Sequence, residues 1–479
     1  MPTPLTTSPF GNPPSPAAIA AVADARQRVY WLDRAERPPS VAELHGPERA
    51  DLLVIGGGFT GLWTALLAKQ AEPGRDVVLV EGGRVAGGAT GRNGGFVASS
   101  LTHGLANGFE RWPEDMPTLL RLGHENLDGI ASTISEWGIE CDFQRSGELD
   151  VAVQEYQLEG LRQSAERARG VGEPVRMLDA EEVRSRIASP LMLGGLFDPQ
   201  GVAIVDPARL AWGLRRACLE LGVRLFERSP IASLAADAGH VLATGRHGAI
   251  RAERVALATN AYPPLLRRLS HYVVPVYDYV LVSEPLTDAQ WSSVGWQGRE
   301  GISDSGNQFH YYRTTEDGRI LWGGYDAVYH PGNGFGPQFE NSRESYERLA
   351  ENFLQTFPQL SALRFSHAWG GAIDTCSRFT AFWGTAHGGR TAYVTGYTGL
   401  GVGASRFGAA TMLDLLDGRT TVRTKLDMVR TKPLPFPPEP VRAWGIRMTT
   451  ASLARADRTQ GHRNLWLRGL DRLGLGFDS

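Results

Sequence analysis

Residues 51–81 read DLLVIGGGFTGLWTALLAKQAEPGRDVVLVE, and this stretch decides the fold. The apolar run at residues 52–55 predicts a buried strand, and the apolar residues that recur at helical spacing from Leu62 onward predict a helix. A second apolar run at residues 77–80 predicts another buried strand. Because strand, helix and strand follow one another through a glycine-rich turn, the stretch is typical of a nucleotide-binding β-α-β unit.

The turn between the first strand and the helix carries the pattern G-x-G-x-x-G at Gly56, Gly58 and Gly61, with Phe59 and Thr60 inside it. Gly56 permits the tight turn, Gly58 lets the backbone approach a pyrophosphate, and Gly61 lets the helix pack on the strand. The N-terminus of the helix offers free N–H groups and the positive end of a dipole to the phosphates. We therefore expect this unit to bind a dinucleotide.

Glu81 ends the second strand, 20 residues after Gly61. A carboxylate at this place accepts hydrogen bonds from a ribose 2′-OH and repels a 2′-phosphate, which favours FAD or NAD over NADP. A lone glycine motif would be weak evidence in a chain with 57 glycines. Here, however, the strand, the motif, the helix, the second strand and the acid follow one another in the required order.

The composition limits the classes of partner. The 479 residues can bury a large core and suit two domains. The formal charge of −3 predicts no general attraction to nucleic acid or to an anionic membrane. No stretch approaches the roughly 18 apolar residues of a membrane span, and the three cysteines show no CxxC spacing, which suits the cytoplasm. The histidines are scattered singly, so no metal site is predicted.

A second glycine-rich stretch covers residues 82–95, in which seven of fourteen residues are glycine. Its last part, GATGRNGG at residues 88–95, resembles the D-amino-acid oxidase superfamily of FAD-dependent amine oxidoreductases, above all its glycine, sarcosine and γ-glutamylputrescine oxidase types. In that family the stretch wraps the pyrophosphate and the flavin, and the preceding glutamate holds the adenosine ribose. The segments ATNA at 258–261 and GYTGLGV at 396–402 resemble two further family motifs.

The resemblance covers about residues 50–420 and implies FAD as the cofactor. In the family, N–H groups at the helix start in the last motif face the flavin pyrimidine ring and stabilise negative charge near N1 and O2. The residues expected to bind FAD are Gly56, Gly58, Phe59, Thr60, Gly61, Glu81, Gly82, Arg84, Ala89, Thr90, Gly91, Arg92, Asn93, Gly94, Gly95, Thr259, Asn260, Gly371, Gly399, Leu400, Gly401 and Val402.

Sarcosine oxidases link flavin covalently through a cysteine shortly before the last motif. This region contains only Cys376, and Ala372 aligns with the linking position. We therefore expect non-covalent FAD.

The expected fold is α/β, with a discontinuous Rossmann-like FAD-binding domain and an inserted α+β substrate domain that carries an antiparallel sheet. The expected segments are an N-terminal arm at 1–45 with a helix near 16–35, the FAD domain at 46–108, 200–270 and 366–430, the substrate domain at 109–199 and 271–365, and a proline-rich spacer with a basic amphipathic tail at 431–479 that docks on the body.

The sequence carries a single dinucleotide motif, whereas a flavin reductase fed by NAD(P)H often carries a second one, so we expect the electrons to come from an organic substrate. The resemblance implies a small-molecule amine or amino acid, whose C–N bond is oxidised to an imine by hydride transfer to flavin N5. O2 would then reoxidise the flavin and give H2O2. Relatives use a lysine near N5 to draw in oxygen, whereas Trp322 aligns there and no lysine lies between Lys69 and Lys425.

Three alternatives remain open at this point. A dehydrogenase would share the half-reaction on the amine and pass electrons to an acceptor other than O2. A tailoring oxidase would act on an amine in a larger natural product. A flavoprotein that binds FAD structurally would turn over no amine.

Candidate substrate-binding and catalytic residues lie on three predicted strands of the substrate domain: Tyr279 on the first, His310, Tyr311 and Arg313 on the second, and Trp322 on the third. Facing aromatic rings exclude water and hold an ammonium group by cation–π contact, and an arginine pairs with a substrate carboxylate. The competing interpretation is ordinary sheet packing for the aromatic residues and a structural ion pair for Arg313.

Overall fold

The chain forms two large sheets, one of eight strands and one of nine. A third sheet has two strands, β3 and β7, whose bounds are given with the other strands. The structure is a computed structural model that describes residues 8–472 and 474–475. Its strands are β1 (Gly46–Ile55), β2 (Val77–Val80), β3 (Phe96–Ala98), β4 (Glu148–Ala152), β5 (Arg176–Asp179), β6 (Gly194–Asp198), β7 (Val202–Ile204), β8 (Arg224–Phe226), β9 (Ile231–Asp237), β10 (His240–Gly245), β11 (Gly248–Leu257), β12 (Val274–Ser283), β13 (Gly301–Asp304), β14 (His310–Thr314), β15 (Ile320–Gly324), β16 (Val328–Tyr329), β17 (Phe365–Thr375), β18 (Phe382–Ala386) and β19 (Thr391–Thr395).

The helices cover both sheets. They are α1 (Pro16–Val22), α2 (Phe59–Ala71), α3 (Leu105–Arg111), α4 (Met116–Glu136), α5 (Glu155–Gly170), α6 (Ala180–Arg186), α7 (Pro207–Glu220), α8 (Asp288–Val294), α9 (Arg343–Thr356), α10 (Gly401–Leu416), α11 (Val422–Lys425), α12 (Asp427–Arg430), α13 (Val441–Arg458) and α14 (Leu465–Arg472).

The first sheet has the strand order β18-β19-β11-β1-β2-β8, and β9 and β10 extend from β11. The strand β1 pairs in parallel with both β2 and β11, and β19 pairs in parallel with β11. Residues 52–55, at the end of β1, are all buried. The helix α2 covers one face of this strand, and the strand β10 shares a second hydrophobic core with its other face. The expected Rossmann-like unit and the α/β fold are confirmed.

The second sheet has the order β16-β12-β15-β14-β13-β4-β6-β5, and β17 pairs with β12 along its whole length. All of its pairs are antiparallel except that of β13 with β4. The helix α9 packs on one face, and the opposite face of β12 and β14 turns toward the glycine-rich loops of the first unit. The expected antiparallel sheet is thereby confirmed.

Two helices differ from the expectations. The helix α4, within the segment assigned to the substrate domain, packs with α10 in the core of the first sheet, because its apolar stripe, which includes Met116, Leu119 and Ile130, meets that core. The helix α1 ends at Val22, whereas a helix over 16–35 was expected, and it lies on α9.

The N-terminal segment is part of the body from Phe10 onward. Phe10 is buried against the ring of His310. Trp31 is buried, and its Nε1 donates a hydrogen bond of 2.9 Å to the carbonyl oxygen of Asn93 in the second glycine-rich stretch. Residues 1–7 of the expected N-terminal arm lie outside the described residues.

The C-terminal segment docks on the body, as the amphipathic pattern predicts. The backbone N–H of Phe436 donates to His271, and the Ser377 hydroxyl donates to Leu434. After the proline-rich spacer, α13 and α14 pack against each other. None of the described helices combines the length and apolar character that a bilayer crossing requires.

Candidate functional site

A cavity of about 1810 Å³ lies between the two sheets. It is about twice the volume of the larger small-molecule pockets, which reach roughly 1,000 Å³. Its walls are formed by both glycine-rich stretches, by residues of β12 and β17, by the start of α10, and by α5, α13 and α14. One continuous space therefore runs from the nucleotide-binding turn to the second sheet and the C-terminal helices.

The turn between β1 and α2 forms one end of the cavity. Gly56 has φ +113°, and a Cβ there would overlap the carbonyl oxygen of Ala258. A Cβ on Gly58 would lie 2.9 Å from Oγ1 of Thr90. Gly58 precedes the first residue of α2, and the N–H of that first residue, Phe59, donates a hydrogen bond of 2.9 Å to Oγ1 of Thr90. Because Gly58 has no side chain, it caps none of the other N–H groups at this helix start, which suits a helix N-terminus that holds a pyrophosphate.

Glu81 lies on the cavity wall beside this turn. Its Oε2 accepts a hydrogen bond of 2.6 Å from Gly57 N, and its Oε1 accepts one of 2.7 Å from Gly83 N. Burial raises the pKa of the Glu81 carboxyl, and the two N–H donors partly oppose that shift. The two backbone hydrogen bonds fix the position of this carboxylate on the cavity wall.

The second glycine-rich stretch is held in shape by Arg92 and Asn93. Arg92 donates from Nε to Gly87 O over 3.0 Å and from Nη1 to Gly370 O over 2.9 Å, and it pairs with Glu340. The Asn93 amide donates to two backbone oxygens of its own turn and accepts from the N–H two residues on. These side chains order a loop that glycine alone would leave flexible.

The third motif lines the cavity beside the first turn, where the Tyr397 hydroxyl lies 2.9 Å from Oγ1 of Thr60. Gly399, Gly401 and Val402 line the wall, and α10 begins there without a side-chain cap. Asp374 holds the preceding loop, because its Oδ2 accepts a hydrogen bond of 2.5 Å from Gly396 N. Burial raises the pKa of Asp374 to about 6. The N-termini of α2 and α10 thus face the same space.

All but three of the residues expected to bind FAD line this cavity. The three exceptions lie outside the cavity wall and contact the backbone of the N-terminal segment or of the loops that form the wall. Gly61 leaves room for the carbonyl of Gly56, and Gly91 leaves room for that of Ala86. Arg84 donates from Nη2 to the carbonyl oxygen of Pro38.

Of the five candidate substrate residues, only Tyr311 lines the cavity. Tyr279 is buried on the other face and donates its hydroxyl to Phe339 O over 2.9 Å. Trp322 is fully buried and stacks on the ring of His310. These contacts match the packing interpretation of the aromatic residues.

The two charged candidates are also internal. The Nδ1 of His310 lies 2.7 Å from Oδ2 of Asp304, and its Nε2 lies 3.0 Å from Nδ2 of Asn352. Arg313 is fully buried, donates from Nη1 to a backbone carbonyl over 2.6 Å, and pairs with Asp142 at 3.4 Å. Arg313 is therefore a structural ion pair, and neither side chain is available to a substrate in the cavity.

The alternation of β12 explains why Tyr279 points away from the cavity. Tyr277 and Tyr279 lie on one face of this strand, as the sequence predicts, but that face packs on α9. Val274, Val276 and Asp278 lie on the opposite face and line the cavity. The side of the strand that faces the cavity is therefore the one that carries Asp278.

Asp278 and Tyr311 form a polar pair that the sequence analysis missed. The Tyr311 hydroxyl donates to Oδ2 of Asp278 over 2.5 Å, and both side chains line the cavity. Burial raises the pKa of Asp278 to about 7 and holds the pKa of Tyr311 well above its ordinary value. A sequence signal was present, since Asp278 is the only charged residue in the otherwise apolar and aromatic run at residues 273–282.

The tyrosine ring of this pair lies beside the second glycine-rich stretch. A Cβ on Gly94 would lie 2.7 Å from the Tyr311 ring.

His103 also lines the cavity, and burial lowers the pKa of its imidazole. Among the described residues, no group of three or more His, Cys, Asp or Glu side chains is placed to hold a metal ion.

Comparison with known proteins extends this picture. The model of the family described as "FAD dependent oxidoreductase" (DAO) matches residues 51–415. The gamma-glutamylputrescine oxidoreductase of Escherichia coli is 32% identical over 405 residues, which cover 81% of this chain and 88% of that protein. The glycine oxidase of Geobacillus kaustophilus is 27% identical over 61% of this chain and 78% of its own length. The crystal structure of glycine oxidase from Geobacillus kaustophilus matches with a TM-score of 0.64 at 19% identity, over 80% of this chain and 99% of that one, which shows the shared fold.

Proposed function

Because the chain belongs to the DAO family of FAD-dependent oxidoreductases, we propose that its cavity binds FAD at the three glycine-rich motifs and an amine or amino acid beside Asp278 and Tyr311. The chain is an FAD-dependent oxidoreductase of the amine and amino-acid oxidase type. The observation that carries the proposal is the continuous cavity, which joins the dinucleotide-binding loops to the polar pair on the second sheet.

The residues present fit FAD. A Cβ on Gly58 or Gly94 would narrow the space along the motifs, and two helix N-termini open onto it. In this proposal α2 holds the pyrophosphate, Glu81 holds the adenosine ribose, and α10 faces the flavin pyrimidine ring. Bound FAD supplies the acceptor at N5 for a hydride equivalent from the carbon next to the substrate nitrogen.

The proposed role of Asp278 is to accept the proton of the substrate ammonium group through the Tyr311 hydroxyl. An amine must lose that proton before its carbon can give up a hydride equivalent, since the nitrogen lone pair stabilises the forming imine. With a pKa near 7, Asp278 is ionised in a large fraction of molecules at neutral pH and can act as the acceptor. Water would then hydrolyse the released imine to an aldehyde or keto acid.

For the electron acceptor we propose O2, with H2O2 as the product. A specific observation keeps a dehydrogenase as the second candidate. Burial lowers the pKa of His103, which lines the cavity, so this imidazole is neutral at pH 7. Trp322, which aligns with the lysine of the relatives, is packed inside the second sheet. Neither side chain supplies the positive charge of that lysine, so we expect reoxidation by O2 to be slower than in the relatives that carry it.

The test is anaerobic mixing of the purified, FAD-loaded protein with a panel of amines and amino acids, including γ-glutamylputrescine and glycine. We expect at least one compound to bleach the flavin absorbance. Colour recovery in air with one H2O2 per turnover would support an oxidase, and slow recovery that a quinone accelerates would support a dehydrogenase. If dithionite bleaches the flavin but no amine in the panel does, the proposal fails for these substrate classes.

A further inference from the structure

The C-terminal segment after the family match contributes a wall of the cavity. The match ends at residue 415, and α13 and α14 begin beyond it. Eight residues of α13 and three of α14 line the same space as the FAD motifs. Most of the larger side chains among them are apolar or aromatic, namely Val441, Trp444, Ile446, Leu453, Trp466, Leu467 and Leu470.

The helices α3, α4 and α5 line the cavity with apolar side chains as well, namely Leu105, Met116, Leu119, Leu120 and Leu161. The helix α5 also contributes the polar side chains of Gln157, Gln163 and Arg167 to this wall. The cavity therefore has an apolar chamber between α3–α5 and the C-terminal helices, in addition to the polar space around the glycine-rich loops.

Polar contacts hold α13 in this position. Asp457, near its end, accepts hydrogen bonds from Asn307 N and Nδ2, from Gln308 N and from the Tyr156 hydroxyl. Near its beginning, Arg442 donates from Nη1 to Asn333 Oδ1 over 2.8 Å. Because both ends of α13 are fastened to the body, its apolar side chains are held in the cavity wall.

The two C-terminal helices are also joined to each other. The Trp466 indole donates from Nε1 to Thr449 Oγ1 over 3.0 Å, and its ring meets that of Trp444 edge to face at 5.3 Å. The Asn464 amide donates to the Ser452 hydroxyl over 2.9 Å. The pair of helices thus presents one ordered surface to the chamber.

We infer that α13 and α14 form part of the substrate site and select an amine that carries a large apolar or aromatic group. This inference rests on the proposed function, since it takes the amine to lie beside Asp278 and Tyr311. The amine end would occupy the polar space, and the apolar group would extend into the chamber. Small amines would leave the chamber filled with water and would lose the free energy of burying apolar surface there.

The test measures binding without turnover. The FAD-loaded protein is reduced with dithionite, so that it cannot oxidise an amine, and is titrated by calorimetry with butylamine, hexylamine and octylamine in the absence of O2. Each methylene group buried in the chamber should lower Kd about fourfold. A Kd that does not change with chain length would overturn the inference.

Matched variants locate the effect. Leu453→Asn and Leu470→Asn each place an amide in the chamber wall and should raise Kd for octylamine at least about tenfold, while Kd for butylamine stays within about twofold. Met448→Asn is the control, because Met448 lies on α13, is 37% exposed and is not part of the cavity wall. If both leucine variants bind octylamine as the wild type does, the chamber is not the site of the apolar group.

The two proposals fail in distinguishable ways. Chain-length-dependent binding to the reduced protein without bleaching of the oxidised flavin would contradict the proposed reaction and retain the chamber. Bleaching by amines of every length with equal affinity would retain the reaction and contradict the chamber. If one variant does not fold, the wild-type series and the other variant still decide.

Discussion

The hydrogen bond between Tyr311 and Asp278 is the contact whose loss should change the reaction most directly. Tyr311→Phe removes the hydroxyl that connects the carboxylate to the substrate and should lower the rate of anaerobic flavin bleaching about 100-fold. Tyr279→Phe is the matched control, because its hydroxyl bonds to Phe339 outside the cavity. Equal rates in both variants would remove Tyr311 from the mechanism.

The pKa of Asp278 sets an expected pH dependence. Since burial raises that pKa to about 7 and the ionised carboxylate is the acceptor, kcat/KM should rise as pH increases through about 7 and be lost below it. Asp278→Asn has no such group, so the limb near pH 7 should disappear from its profile and its rate should be low at every pH. A variant profile that keeps the limb would assign it to another group, such as the substrate amine.

Gly56 tests the nucleotide-binding turn at a single atom. A Cβ at this residue would overlap Ala258 O, and the residue has φ +113°, where side chains are strained. Gly56→Ala should lower the free energy of unfolding by about 1–3 kcal/mol and weaken FAD binding, measured by urea unfolding and by flavin fluorescence. Gly74→Ala is the control, because a Cβ there meets nothing within 4 Å.

At the residue scale, the residues expected to bind FAD lie together around one cavity, whereas of the five expected to bind substrate only Tyr311 lines it. Glycine motifs are local: each glycine answers a backbone requirement of its own turn, so its position can be recognised without the rest of the fold. Which face of a strand points into a cavity, in contrast, is not decided by the local sequence. The two tyrosines of β12 share a face in any case, but only the packing of α9 decides that this face is internal and that Asp278 faces the cavity.

At the scale of elements, strands and helices were predictable where an apolar pattern is strong, but their partners were not. The pattern of α4 gives a helix with one apolar stripe, and nothing in that stripe tells which of two cores it joins. The structure places it against α10, within the first core. Likewise, the short α1 follows from its Ser15 cap and Pro16, whereas the docking of the following residues depends on Trp31 reaching Asn93.

The attachment of α13 can be tested at Asp457. Asp457→Ala leaves its partly buried donors on Asn307 and Gln308 without this acceptor and should lower the free energy of unfolding by about 1 kcal/mol. It should also speed trypsin cleavage within residues 441–472, followed by mass spectrometry, while FAD stays bound. Met448→Ala is the control, since Met448 is exposed on the same helix and the change leaves every trypsin site in place. Unchanged cleavage in Asp457→Ala would show that other contacts hold the helix.

At the scale of the molecule, the C-terminal tail shows what composition leaves undecided. Its proline-rich run and basic amphipathic helices predict docking on the body, and the described part does dock. The sequence pattern does not predict whether the apolar faces of these helices meet a cavity or a filled core. The outcome depends on how much space the two sheets leave between each other.

The attachment of the cofactor is a property of the whole protein and the expectation is non-covalent FAD. Ala372 lines the cavity where the sarcosine-oxidase type carries a linking cysteine. Cys376 also lines the cavity, but its Sγ donates to Thr380 O over 3.1 Å. Acid precipitation should therefore leave a colourless pellet and a yellow supernatant. A yellow pellet would show a covalent link, and repeating the precipitation with Cys376→Ser would decide whether this thiol forms it: a pellet that becomes colourless assigns the link to Cys376, and one that stays yellow assigns it to another residue.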